Sequence, residues 1–142
     1  MRPVRERLFL LRQAPLVWIG LGIVAGFGYI ASLFYRTSAL GLIGTFVHFG
    51  ALIAAGWIGW QRPTLYGTAA GFVGWLVAAA LALYAFASAG APPDTFVSGP
   101  DAILQLLLST LTQIGLGFLG GWYGGYLRRR QSHLSSEVRR RR

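Results

Sequence analysis

The sequence predicts an all-α polytopic membrane protein, with four transmembrane helices arranged as two similar helical hairpins. Three observations predict it. Of the 142 residues only 12% are charged and 54% are hydrophobic, whereas an ordinary soluble domain is about 25% charged. Four apolar stretches, each near the roughly 20 residues needed to cross a bilayer, contain no Asp, Glu, Lys or Arg. The second half of the chain also repeats a glycine-rich pattern of the first. The apolar excess excludes a disordered chain, a coiled coil and an ordinary soluble enzyme domain. With no cysteine in the chain, a disulfide scaffold is excluded too.

Span one covers residues 16–34. A basic leader, residues 1–15, precedes it and carries Arg2, Arg5, Arg7 and Arg12. The apolar run exceeds the roughly 7–15 residues of a signal-peptide core, and Ala31 and Ser32 form a poor cleavage site, so a retained helix is expected. Span two covers 39–60 and span three 65–89, each after a short connection. The longer connection, 90–102, contains Pro92, Pro93, Gly99 and Pro100, which interrupt helices. Pro100 and Asp101 read as a helix start, with the acid near the positive end of the helix dipole. Span four covers 103–127, and an Arg-rich tail, 128–142, follows it.

Arginine placement orients these spans. Four crossings put the leader and the tail on one side, and together they hold Arg2, Arg5, Arg7, Arg12, Arg128, Arg129, Arg130 and Arg139 to Arg142. Positive residues mark the cytoplasmic side of the inner (plasma) membrane. Arg62 falls on the same side, Asp94 and Asp101 fall outside, and Arg36 is the one dissenting charge. Trp18, Trp57, Trp60, Tyr66, Trp122, Tyr123 and Tyr126 gather near span ends, where aromatic rings prefer the headgroup level.

The repeat is visible when span two is laid on span four. Thr45, His48, Gly50, Gly56, Trp57 and Gly59 fall on Thr110, Gln113, Gly115, Gly121, Trp122 and Gly124. Gly22, Ala25, Gly26 and Phe27 of span one match Gly67, Ala70, Gly71 and Phe72 of span three. Two helices per unit keep the same orientation in both copies, so the expected symmetry axis lies along the membrane normal.

Lipid tails give helices no hydrophobic reason to associate; small residues do so by letting backbones approach. Span four carries Gln105, Ser109, Gln113, Gly117, Gly121 and Gly125 at four-residue steps, one ridge that is polar outside and backbone-thin inside. Span two offers Gly41, Gly44, His48, Ala51, Ala55 and Gly59 on one side. Span one offers Gly22 and Gly26, and span three Gly67, Gly71, Gly74 and Ala78. Packing within the chain, and self-association through a surplus face, are the expected uses.

His48 is the one histidine inside a span, and Gln113 sits at similar depth. Polar groups at mid-membrane mark functional candidates by default. The polar set is His48, Gln113, Thr45, Gln105 and Ser109. No span holds a carboxylate for a proton relay, so a neutral imidazole bonded to Gln113 or Thr45 is the expected arrangement. A polar substrate or water path is the alternative. A third reading makes His48 an axial ligand of a haem or chlorophyll-type ring, with Gly44 one turn earlier leaving space for the macrocycle. No other cofactor and no metal cluster is indicated. Arg128, Arg129 and Arg130 directly after span four are expected to contact anionic headgroups. Nucleic acid is not indicated, since no aromatic or motif context accompanies the charge.

The run Gly120-Gly121-Trp122-Tyr123-Gly124-Gly125-Tyr126-Leu127-Arg128 resembles the glycine-rich ending before a basic tail in small four-helix bacterial membrane proteins of unknown function. That resemblance implies a fold and no activity. Small multidrug exporters need a carboxylate in the first span, and fluoride channels an asparagine; this chain has neither. The expected function is a non-catalytic scaffold or accessory subunit, possessing a homo-oligomer or a larger membrane complex as its setting. A small transporter or channel and a pigment- or haem-binding subunit are the alternatives.

Overall fold

The computed structural model describes residues 4–35, 37–59, 61–90 and 100–140. It is all-helical over these residues: α1 (Val4–Phe34), α2 (Ala39–Ile58), α3 (Pro63–Ser88) and α4 (Pro100–Arg140). Four segments are long and apolar enough to cross a membrane, Leu16–Phe34, Ala39–Ile58, Pro63–Ser88 and Ile103–His133. The fold class read from the sequence is the one observed.

Two helices outrun their spans. α1 begins at Val4 and carries the basic leader as helix through Pro15. α4 is 41 residues long, about 60 Å at 1.5 Å per residue. After Gly125 its sequence has neither glycine nor proline to stop it. α3 starts at Pro63, two residues before span three, because proline is pre-shaped for the first helical turn and has no N–H to leave unpaired. It stops where Gly90 takes φ 67°, a left-handed conformation that costs glycine little. Trp60, Pro92 and Pro93 lie outside the described residues, whereas Pro100 opens α4 as the sequence suggests.

Glycine contacts fix the helix directions. Gly28 of α1 lies against Gly44 and His48 of α2, and Gly44 against Ala31 and Ser32, an antiparallel pair. Gly67 and Gly71 of α3 lie against Gly117, Gly121 and Gln113 of α4 in the same sense. α1 packs beside α3, and α2 beside α4, each pair running parallel. α2 and α3 also touch across the bundle, whereas α1 and α4 scarcely meet among the described residues. A two-fold axis along the membrane normal would make those two diagonals equal. The second hairpin instead lies alongside the first, so the expected axis is not found.

The interior is built of small side chains. Ala25, Ala51, Leu52, Ala55 and Ala70 form the buried cluster, with Leu21 and Leu116 packed onto it. Large apolar side chains such as Phe46, Leu111 and Leu119 point outward. That is the pattern expected where lipid is the solvent and dispersion between close backbones holds helices together.

Candidate functional site

His48 and Gln113 are the polar residues of the interior, 4% and 2% exposed. The α2 helix aims His48 at α1, where Nδ1 donates to the Ala25 carbonyl at 2.9 Å. A carbonyl only accepts, so Nδ1 carries the hydrogen, and in the neutral ring Nε2 presents a lone pair. The rings of Tyr29 and Phe49 flank the imidazole at 5.5 and 5.3 Å between centroids. The backbone of Gln113 lies against α3: a methyl built at Gly71 would stand 2.6 Å from its main-chain carbonyl oxygen.

Both residues lie at similar depth in the bundle. Ala25 bonds His48 and lies under Gly74 of α3, and Gly71, one turn away on the same helix, meets Gln113. No hydrogen bond joins the pair. His48 Nε2 and Gln113 Oε1 are buried without a partner among the described residues. The expected direct bond is absent; the imidazole bonds the Ala25 carbonyl of α1 instead. Thr45 does not serve His48 either; its hydroxyl donates to the Gly41 carbonyl at 2.9 Å.

The polar ridge of α4 is divided. Gln105 is exposed, Ser109 half-buried and Gln113 buried. Ser109 accepts from Trp75 Nε1 of α3 at 3.2 Å and donates to the Leu106 carbonyl at 2.8 Å. Every residue from Ile103 to Leu108 is exposed, so the outer turns of α4 stand away from the bundle.

On both sides of the polar layer, glycines bring backbones together. Gly22 and Gly26 face Ala70, Val73, Gly74 and Val77 of α3, and Gly41 is buried on α2. Gly117, Gly121 and Gly125 face Gly67, Thr68 and Pro63 of α3. Gly56 of α2 meets Gly121, and Gly120 and Gly124 meet Leu52, Ile53 and Trp57. Helix α4 therefore has two thin faces, of which the four-residue row in the sequence reveals one. The space beside Gly44 is also filled: a methyl there would lie 2.7 Å from the Gly28 carbonyl oxygen and 2.9 Å from the Ala31 side chain. A macrocycle on His48 does not fit that gap, because α1 occupies it.

Arg128 has a task the sequence does not reveal. Its Nη1 donates to the Trp57 carbonyl at 2.7 Å, and the guanidinium lies 5.3 Å from the centre of a Trp57 ring. It caps the last carbonyls of α2, where the helix dipole is negative. Of the three arginines expected at headgroups, Arg128 thus turns back onto the protein, while Arg129 and Arg130 are exposed. Trp122, Tyr123 and Tyr126 stack beside them along α4. Among the described residues no three His, Cys, Asp or Glu gather as metal ligands.

Sequence reasoning gave Trp75 and Gly28 no part and did not place Gly120 and Gly124 at a helix contact. A tryptophan far from either end of its span, as Trp75 is, was the available signal for the first. No family model, curated protein or solved structure matches the chain.

Proposed function

We propose that this chain is a non-catalytic integral membrane protein, a small scaffold or accessory subunit of the inner membrane with both termini in the cytoplasm. One observation carries the reading. Gly56, Gly67, Gly117 and Gly121 bring α2, α3 and α4 into backbone contact in the half of the bundle nearest Arg128. Backbones that close leave no lumen between those three helices. The outer turns of α4, exposed on all sides, supply the surface for a further copy or a larger membrane complex. This reading calls for no cofactor. Arg129 and Arg130 fit anionic headgroups, worth about 1 kcal/mol each near the surface.

Reconstitution into liposomes tests it. Permeability to protons, monovalent ions and small polar solutes should equal that of protein-free vesicles. Solute-selective flux that disappears in His48→Leu would replace this reading with the transporter one. The specific observation favouring that second reading is the polar row Gln105, Ser109 and Gln113, which descends to two unpartnered acceptors.

A further inference from the structure

Helix α4 does not end with the bundle. Arg128 reaches the last turn of α2, and Gly125 faces Pro63, the first residue of α3, so both neighbours stop at that level. α4 continues to Arg140 without a break. Arg139 therefore stands about 16 Å beyond Arg128 at 1.5 Å per residue. The headgroup region is only about 5–7 Å deep on each side of the hydrocarbon, and salt screens charge beyond about 8 Å. The unbroken helix thus lifts Arg139 and Arg140 clear of the headgroups that Arg129 and Arg130 fit. α1 also extends on this side, but it scarcely meets α4 among the described residues. The turns after Arg130 grow from a helix already formed, so no nucleation cost opposes them.

The bundle leaves two features of this arm unused. Its sequence from Arg128 onward has seven arginines against one acid, Glu137. Leu134 and Val138 follow Leu127 by seven and eleven residues, which sets all three within about 40° on one line of the helix. We propose that this arm docks an acidic amphipathic helix of a cytoplasmic protein. The partner's apolar stripe packs along the line of Leu134 and Val138, and its carboxylates answer Arg139 and Arg140. Apolar anchors at this spacing are the usual means by which one helix receives another, and opposite charge around them steers the encounter. A second copy of this chain brings the same seven arginines and is repelled. A nucleic acid answers the arginines through its phosphates but gives Leu134 and Val138 no apolar stripe. A membrane surface lies too far below a helix that does not bend. The proposal rests on the scaffold reading, with the arm as the place where a membrane subunit holds a soluble one.

The test uses the full chain in phosphatidylcholine nanodiscs at physiological salt. The probe is a labelled synthetic peptide of leucine, glutamate and alanine with its leucines on one helical face. A peptide of the same composition in scrambled order is the control. The facial peptide should bind about tenfold tighter than the scrambled one. Leu134→Ala with Val138→Ala, which keeps helix propensity, should remove that preference. Arg139→Gln with Arg140→Gln should weaken the facial peptide and flatten its salt dependence. These positions lie outside the spans, so the bundle folds in every variant. Equal affinity for the two peptides, or a preference that survives the alanine pair, overturns the proposal. So does an oligothymidylate that binds as tightly as the facial peptide. The chain has no cysteine, so Ser136→Cys takes a single fluorophore; strong quenching of it by spin-labelled headgroups would place the arm on lipid and overturn the proposal too. Nanodiscs expose both membrane faces, so binding is read whichever way the chain inserts. Failure of the scaffold reading shows separately, as solute flux in liposomes.

Discussion

Gly121→Ala puts one methyl group where two helices already meet. That methyl would contact the Pro63 carbonyl and stand 3.0 Å from the Gly67 Cα and 3.2 Å from the Gly67 nitrogen. Carbon atoms in comfortable contact are about 3.5–4.0 Å apart. The opposing atoms are backbone, so no side-chain rotation relieves the overlap. On the other side Gly56 of α2 touches Gly121, so α4 cannot retreat freely from α3. Overpacking of this kind costs about 1–3 kcal/mol. With backbone on two sides the upper part of that range applies. Alanine returns at most about 1 kcal/mol through its better helix propensity, which leaves a net loss of about 2 kcal/mol. Gly115→Ala is the control: a methyl there meets nothing within 4 Å, so it should be neutral or slightly stabilising. Reversible unfolding of both variants in bicelles measures the difference. Equal stabilities would refute the argument, because they would mean that Gly121 has as much room as Gly115.

Arg128→Met should lower stability by about 1 kcal/mol, the worth of a net hydrogen bond at a helix end, and should quench or shift Trp57 fluorescence; an unchanged spectrum would contradict the cap. Trp75→Phe and Ser109→Ala should be coupled by about 0.6 kcal/mol, the average for interhelical bonds in membranes, as read in a double-mutant cycle; strict additivity would argue against the bond. Reporter fusions at Arg142 and in the Pro92 connection should report cytoplasm and periplasm respectively, and a periplasmic signal at Arg142 would defeat the topology.

The spans were legible because an uncharged run of about twenty residues has one comfortable environment. The glycine row of α4 was legible as well, since four-residue spacing fixes a face of a helix whatever lies opposite. What lies opposite is another matter. Gly120 and Gly124 become meaningful only once α4 is known to sit between α2 and α3, and periodicity carries no information about adjacency. The same limit applies to His48. Depth and inward direction follow from its place in span two, but the choice between Gln113 and the Ala25 carbonyl depends on how closely α1 approaches, which Gly28 and Gly44 determine together. Arg128 read as a headgroup ligand because its neighbours are arginines; its partner lies 71 residues away in sequence.

The two thin faces of α4 also impose an order on biogenesis. When the ribosome has released the first three helices, Gly56 of α2 and Gly67 and Gly71 of α3 have no mate, and lipid tails are too irregular to fill such shallow notches. The fourth helix alone carries the complementary glycines for both. A chain stalled before Pro100 therefore leaves two seams open. Insertion of α4 closes both seams at once, so this helix locks its predecessors in place.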